Sequence, residues 1–269
     1  MSYNYGRRTR PLWSRTHTRP RSSTSSGSSL HAQFASINLN LDNILSAPSP
    51  ILTVQEVAKA AIQALSTCGY DAAILGSLAS RQYGVMRSPN DVDILVLPRP
   101  WDLSSQEDIK RSVVRVDSRF YLRDAKTPGA TDKVLYFKAY SYSRTYTKVD
   151  LLLPGVMNLP TLPPEKVMMI GDLPIGPFSL LLLTKLQCWD DNRQAIQYFK
   201  QQKQYTDASD IEALLRLPNA KMLRKEENWF LDADVLGERI CRLTPPRVKR
   251  ICGAYPKMKR DWQLLGFKI

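Results

Sequence analysis

Residues 71–97 read DAAILGSLASRQYGVMRSPNDVDILVL. An apolar run ending at Leu75 leads into Gly76-Ser77 and a short segment with helical character. Ser88-Pro89-Asn90 then turns the chain, and a second apolar run starts with Asp91-Val92-Asp93. Both runs have the length and flanking turn residues of buried strands. Side chains alternate faces along a strand, so Asp91 and Asp93 point one way while Val92 and Ile94 point into a core. Two carboxylates on one face of an apolar strand repel each other and resist burial, and a bound cation relieves both problems. Hard oxygen ligands at this spacing suit Mg²⁺ or Mn²⁺.

A third acid fits the same site. Residues 144–153, RTYTKVDLLL, read as a further strand with Asp150 just before the leucines. If this strand pairs beside Asp91–Val96, Asp150 completes a three-carboxylate cluster. Such a cluster can hold two divalent ions about 3.5–4 Å apart for in-line phosphoryl transfer. Gly76 permits close backbone approach to a ligand. Ser77 and the amides opening the next helix can hold a triphosphate. The plainer alternative for the pair is that Asp91 caps the turn after Asn90 and Asp93 pairs with a Lys or Arg.

Gly-Ser, thirteen intervening residues, Asp-x-Asp and a lone Asp on a later strand resemble the DNA polymerase β-type nucleotidyltransferase superfamily. The resemblance implies an α/β (α+β) fold: a small mixed sheet with flanking helices, followed by a helical domain. It implies transfer of a nucleoside monophosphate from an NTP to a hydroxyl on RNA, protein or a small molecule. Asp91, Asp93 and Asp150 would be catalytic and would bind the two metal ions. Gly76, Ser77 and Lys185 would bind the nucleotide. Further along, Lys185-Leu186, Arg193, and Asp207-x-x-Asp210 before Leu214-Leu215 are similar to the helical segment of toxin–antitoxin and abortive-infection-type nucleotidyltransferases. Thr206 replaces the lysine usual there. Two other classes stay open: a catalytically silent module of the same fold, and an RNA-binding adaptor using its basic ends.

The rest of the chain sets the frame. The 269 residues are 43% hydrophobic, enough for a real core. No apolar run approaches the ~18 residues of a membrane span, so no membrane partner is expected. Cys68, Cys188, Cys241 and Cys252 form no CxxC pair. That argues against a zinc site or disulfide framework and for an intracellular, reducing setting, cytoplasmic or nuclear. His17 and His31 are the only histidines, so histidine catalysis is excluded from the region after them. The net charge of +13 gathers at the ends: six Arg and no acid in residues 1–35, thirteen Lys/Arg against six Asp/Glu in residues 216–269. Residues 1–50 read as a disordered basic tail. Their Arg/Ser-rich character resembles a mitochondrial transit peptide, although Pro11 and Pro20 interrupt the helix such a peptide needs.

The expected domains are this tail, a catalytic domain over 51–172 and a helical domain over 173–269, with the boundary in the Pro/Gly segment 172–177. Thr53-Val-Gln-Glu56 is a capping box opening a helix that ends near Gly69. Residues 104–117 read as a helix, and 133–140 with 144–153 as a hairpin. Tyr136, Tyr140, Tyr142 and Tyr146 fall at even positions, reading as one packed sheet face or a platform for a base. Residues 166–170 suggest a short edge strand. Residues 178–189 suggest an apolar helix, and Thr206–Leu217 a second one capped by Thr206 or Asp207. Lys185 either contacts a triphosphate or pairs with Asp190 or Asp210, and Arg193 is expected to pair with Asp207 and Asp210. The C-terminal basic clusters and Tyr255, Trp262 and Phe267 read as an RNA-binding surface or a solvated charged face.

Overall fold

The computed structural model describes residues 53–125, 131–140 and 142–269. The expectations for the tail at 1–50, including His17 and His31, lie outside the described residues.

The fold is mixed α/β, as the sequence indicates. Helix α1 (Val54–Thr67) opens with the expected box: the Thr53 hydroxyl accepts from the Glu56 amide, and the Glu56 carboxylate accepts from the Thr53 amide. Strand β1 (Asp71–Leu75) runs straight into α2 (Gly76–Tyr83), and β2 (Asp91–Leu97) returns antiparallel to β1 with Leu75 opposite Asp93. A second capping box, Ser105 with Asp108, starts α3 (Gln106–Val116). Strands β3 (Phe120–Asp124), β4 (Lys133–Phe137) and β5 (Thr147–Leu152) follow, then the short β6 (Met168–Ile170) and β7 (Leu173–Ile175).

The seven strands form one sheet in the order β3-β4-β5-β2-β1-β7-β6. The pairs β2/β5 and β1/β7 are parallel and the others antiparallel. Helices α1 and α3 pack on the sheet, where Val57, Ala61, Leu65, Ile109 and Val113 join Val92, Ile94, Val149 and Leu151 in a buried core.

The helical region comprises α4 (Phe178–Gln194), α5 (Tyr198–Arg216), α6 (Pro218–Leu223), α7 (Ala233–Leu236), α8 (Glu238–Ala254) and α9 (Lys259–Leu264). Helix α4 buries Leu180–Leu183, Leu186 and Trp189; α8 packs against it, burying Ile240, Val248 and Ile251, and α9 meets α5, with Trp262 fully buried. Residues Pro50–Ile269 form one compact unit. No helix among the described residues is long and apolar enough to cross a membrane.

Several local expectations are corrected. Strands β3 and β7 were not expected. The Pro/Gly segment at 172–177 carries β7, which pairs with β1 at Ile74–Ile175. Pro174 is tolerated in it because that pairing is so short. Helix α5 starts eight residues before Thr206, so Thr206 and Asp207 lie inside it. The strands of the hairpin are shorter than read: Tyr140, Tyr142 and Tyr146 sit between β4 and β5, and are 41%, 71% and 49% exposed. They are therefore not one packed sheet face. Trp262 and Phe267 are core residues, and Arg247 is buried with them.

Candidate active site

Strand pairing assembles the three acids. Parallel register sets Asp93 directly opposite Asp150 across β2 and β5, with Asp91 two residues along on the same face. Their carboxylate oxygens come within 4.8 Å of one another. Asp93 lies at the floor. Burial first, then the neighbouring charges of Asp91 and Asp150, push its pKa up to about 7. A carboxylate so raised is waiting for positive charge.

Gly76 explains how Asp93 fits. Its φ is +62°, a left-handed conformation, and a Cβ there would sit 1.8 Å from Asp93 Oδ2. Glycine is therefore required twice, by the backbone and by the carboxylate beneath it. Ser77 follows at the start of α2 and donates its hydroxyl to Asp91 Oδ1 at 3.3 Å.

The acids floor a cleft of about 600 Å³. Gly76 and Ser77 form one wall. Thr184, Lys185 and Cys188 of α4, with Lys203, Thr206 and Asp207 of α5, form the other. Leu152, Met157 and Leu159 give it an apolar side. Burial pushes the Cys188 thiol up to about 12, so it is an inert wall residue.

Lys185 lies in this wall and also makes an ion pair. Its Nζ is 2.7 Å from Asp210 Oδ2 and 3.8 Å from Asp207 Oδ1. Burial lowers the lysine pKa, but Asp210 and Asp207 outweigh it and keep the group charged. Asp210 also takes a two-bond fork from Arg87, at 2.7 Å to each oxygen. Desolvation of Asp210 is overcome by these two cations, and its pKa is lowered.

Arg193 does not join this network. It pairs with Asp190 at 3.3 Å and lies over the Trp189 ring. Asp190 in turn receives Arg250 at 2.6 Å and Arg247 at 3.6 Å. The Lys185–Asp210 cluster facing the cleft is thus separate from the Asp190 cluster that joins α4 to α8.

Sequence reasoning missed Lys148 and Arg87. Lys148 shares the acid face of β5 and bonds Asp150 Oδ2 at 2.5 Å. Burial of Lys148 is outweighed by Asp150, Asp91 and Asp93, and its pKa is raised. Two-residue alternation back from Asp150 would have found it. Nothing local marks Arg87, whose partner is 123 residues away.

The donor set suits a hard divalent cation: three carboxylates, no histidine or thiolate, and one lysine to balance them. Among the described residues this is the one such cluster of three acids.

Among solved structures, the fold is similar to a nucleotidyltransferase-like protein from Paracoccidioides brasiliensis, described as antigenic. The likeness has a TM-score of 0.52 at 13% identity and covers 80% of this chain and 93% of that one. No protein-family model and no curated protein matches the sequence. At this identity the likeness speaks for the fold, and the case for chemistry rests on the acids.

Proposed function

We propose that the protein is a metal-dependent nucleotidyltransferase that moves a nucleoside monophosphate from an NTP to a hydroxyl acceptor. The observation that carries this is the convergence of Asp91, Asp93 and Asp150 beneath Gly76. The cleft volume and the nucleotidyltransferase-like fold support it. The order of Lys185 and Asp207/Asp210 also favours a relation to the toxin–antitoxin type.

Asp91 and Asp93 would hold two Mg²⁺ or Mn²⁺ ions, with Asp150 on the ion nearer the acceptor. Bound there, the ions supply charge for the triphosphate and lower the acceptor hydroxyl's pKa. Asp150 orients the acceptor hydroxyl and takes its proton. The acceptor oxygen then bonds to the α-phosphorus while the bond to pyrophosphate breaks. Gly76 leaves room for the nucleotide, and the Ser77 hydroxyl and nearby amides orient the β- and γ-phosphates. Lys185 faces the same charge from the opposite wall, kept protonated by Asp210. Positioning and charge neutralisation suffice for such a transfer.

The test incubates the protein with Mg²⁺ or Mn²⁺, each α-labelled NTP and fractionated cell extract. Label in one fraction that disappears with Asp91→Ala/Asp93→Ala is the expected result. Nucleotide-dependent stabilisation without label would instead identify a silent module.

A further inference from the structure

The acid face of the sheet continues beyond the cleft. Asp91 of β2, Lys148 of β5, Tyr136 of β4 and Tyr121 of β3 stand opposite one another in a single row across four adjacent strands. At about 4.8 Å per strand, Tyr136 is roughly 10 Å from Asp91 and Tyr121 roughly 14 Å. The Tyr121 and Tyr136 rings stack at 5.9 Å, and Tyr146 meets Tyr136 edge-on at 5.2 Å. The Arg123 guanidinium lies over all three rings, at 5.2, 5.7 and 5.0 Å. Among the described residues it has no carboxylate partner, since nearby Asp124 is committed to Lys133. Tyr146 is about half exposed, and Arg144 beside it is exposed.

We infer that this surface docks a single-stranded nucleic acid whose terminal hydroxyl enters the cleft as acceptor. The inference rests on the transferase reading and names its acceptor class. Unpaired bases stack on tyrosine and arginine planes, and a guanidinium without a carboxylate is complementary to a phosphodiester backbone. A duplex hides its base faces and does not fit. The row runs from the rings through Lys148 to Asp91, so a strand lying on it points its end at the acids.

The test uses the full chain, with EDTA and without NTP. Fluorescence anisotropy compares a labelled unstructured 12-nucleotide RNA, its DNA counterpart and a duplex of the same sequence. Single strands should bind at least ~10-fold tighter than the duplex, and the RNA and DNA arms decide which sugar is preferred. Tyr136→Ala/Tyr146→Ala should weaken binding ~10-fold or more. Arg123→Glu should weaken it and flatten its salt dependence. Equal binding of duplex and single strand, or unchanged affinity in both surface variants, would overturn the inference. So would label transferred to a protein or small molecule with no strand bound, which leaves the transferase reading standing. Strand binding with no nucleotide stabilisation does the converse.

Discussion

At the residue scale the site depends on two atoms that cannot share space. Gly76→Ala would push its methyl into the Asp93 carboxylate and strain a backbone at φ +62°. We expect transfer to fall at least ~100-fold, with a loss of metal-dependent stabilisation by calorimetry larger than the loss of fold stability. Asp93 also sets a pH dependence. Its folded pKa lies above the ordinary carboxylate value of 3.8, at about 7. Without metal, the proton it holds therefore favours the folded state below pH 3.8, and that contribution fades as pH rises from about 4 to 7. Metal binding needs the ionised form, so Mg²⁺-induced stabilisation should shrink as pH falls from 8 to 5. Melting curves with EDTA and with Mg²⁺ should diverge with rising pH, and Asp93→Asn should remove most of the divergence. The sequence could name Asp91, Asp93, Asp150, Gly76 and Ser77, because strand alternation and a glycine before a helix are local signals. It could not show that Gly76 roofs Asp93, which depends on the antiparallel pairing of β1 with β2.

At the element scale the wall opposite the acids depends on a buried ion cluster between α4 and α5. Asp210 joins Lys185 to Arg87, and its side chain is only 2% exposed. Asp210→Ala leaves the Lys185 ammonium with only the distant Asp207, and should cost about 3–5 kcal/mol in urea unfolding. A Lys185→Met/Asp210→Leu double variant should recover part of that loss while weakening NTP binding. The exposed Lys59–Asp172 pair is a contrast, since its Asp side chain is 77% exposed. Breaking it should leave the urea midpoint unchanged within error, because water already screens both charges. The early turns of α5 were illegible because Tyr198–Tyr205 is polar, mostly exposed and opened by Gln197 without a side-chain cap. Asp207 resembled a cap only because its inward partners, Asn192 and Lys185, were far away in sequence. Strand β7 was hidden by Pro174 and its three-residue length.

Across the whole molecule the acids sit on the sheet, while the chain after residue 217 completes the core behind α4. Trp262 and Ile251 are fully buried there, and Arg250 spans from α8 to Asp190 on α4. Removing residues 218–269 should therefore yield insoluble protein rather than a smaller active enzyme, as measured by soluble expression and melting. The C-terminal basic clusters were legible as charge, yet their division was not. Arg247 and Arg250 are spent internally, whereas Lys249, Lys259 and Arg260 face solvent. Sequence patterning conveyed the sheet's acid face, the Thr53 capping box and the helix near 104–117 well. It could not separate a core tryptophan from a nucleic-acid contact, because both place an aromatic ring among basic residues.

The insertion of β7 beside β1 bears on how the chain is made. Strand β1 ends at Leu75, and its parallel neighbour is not complete until Ile175. During translation the nascent chain thus carries an open strand edge for roughly 100 residues, on the order of 5–20 s at ribosomal rates. Over that interval the half-built sheet can pair with other chains, so yield in a cell should depend on chaperone supply and on slower synthesis at lower temperature.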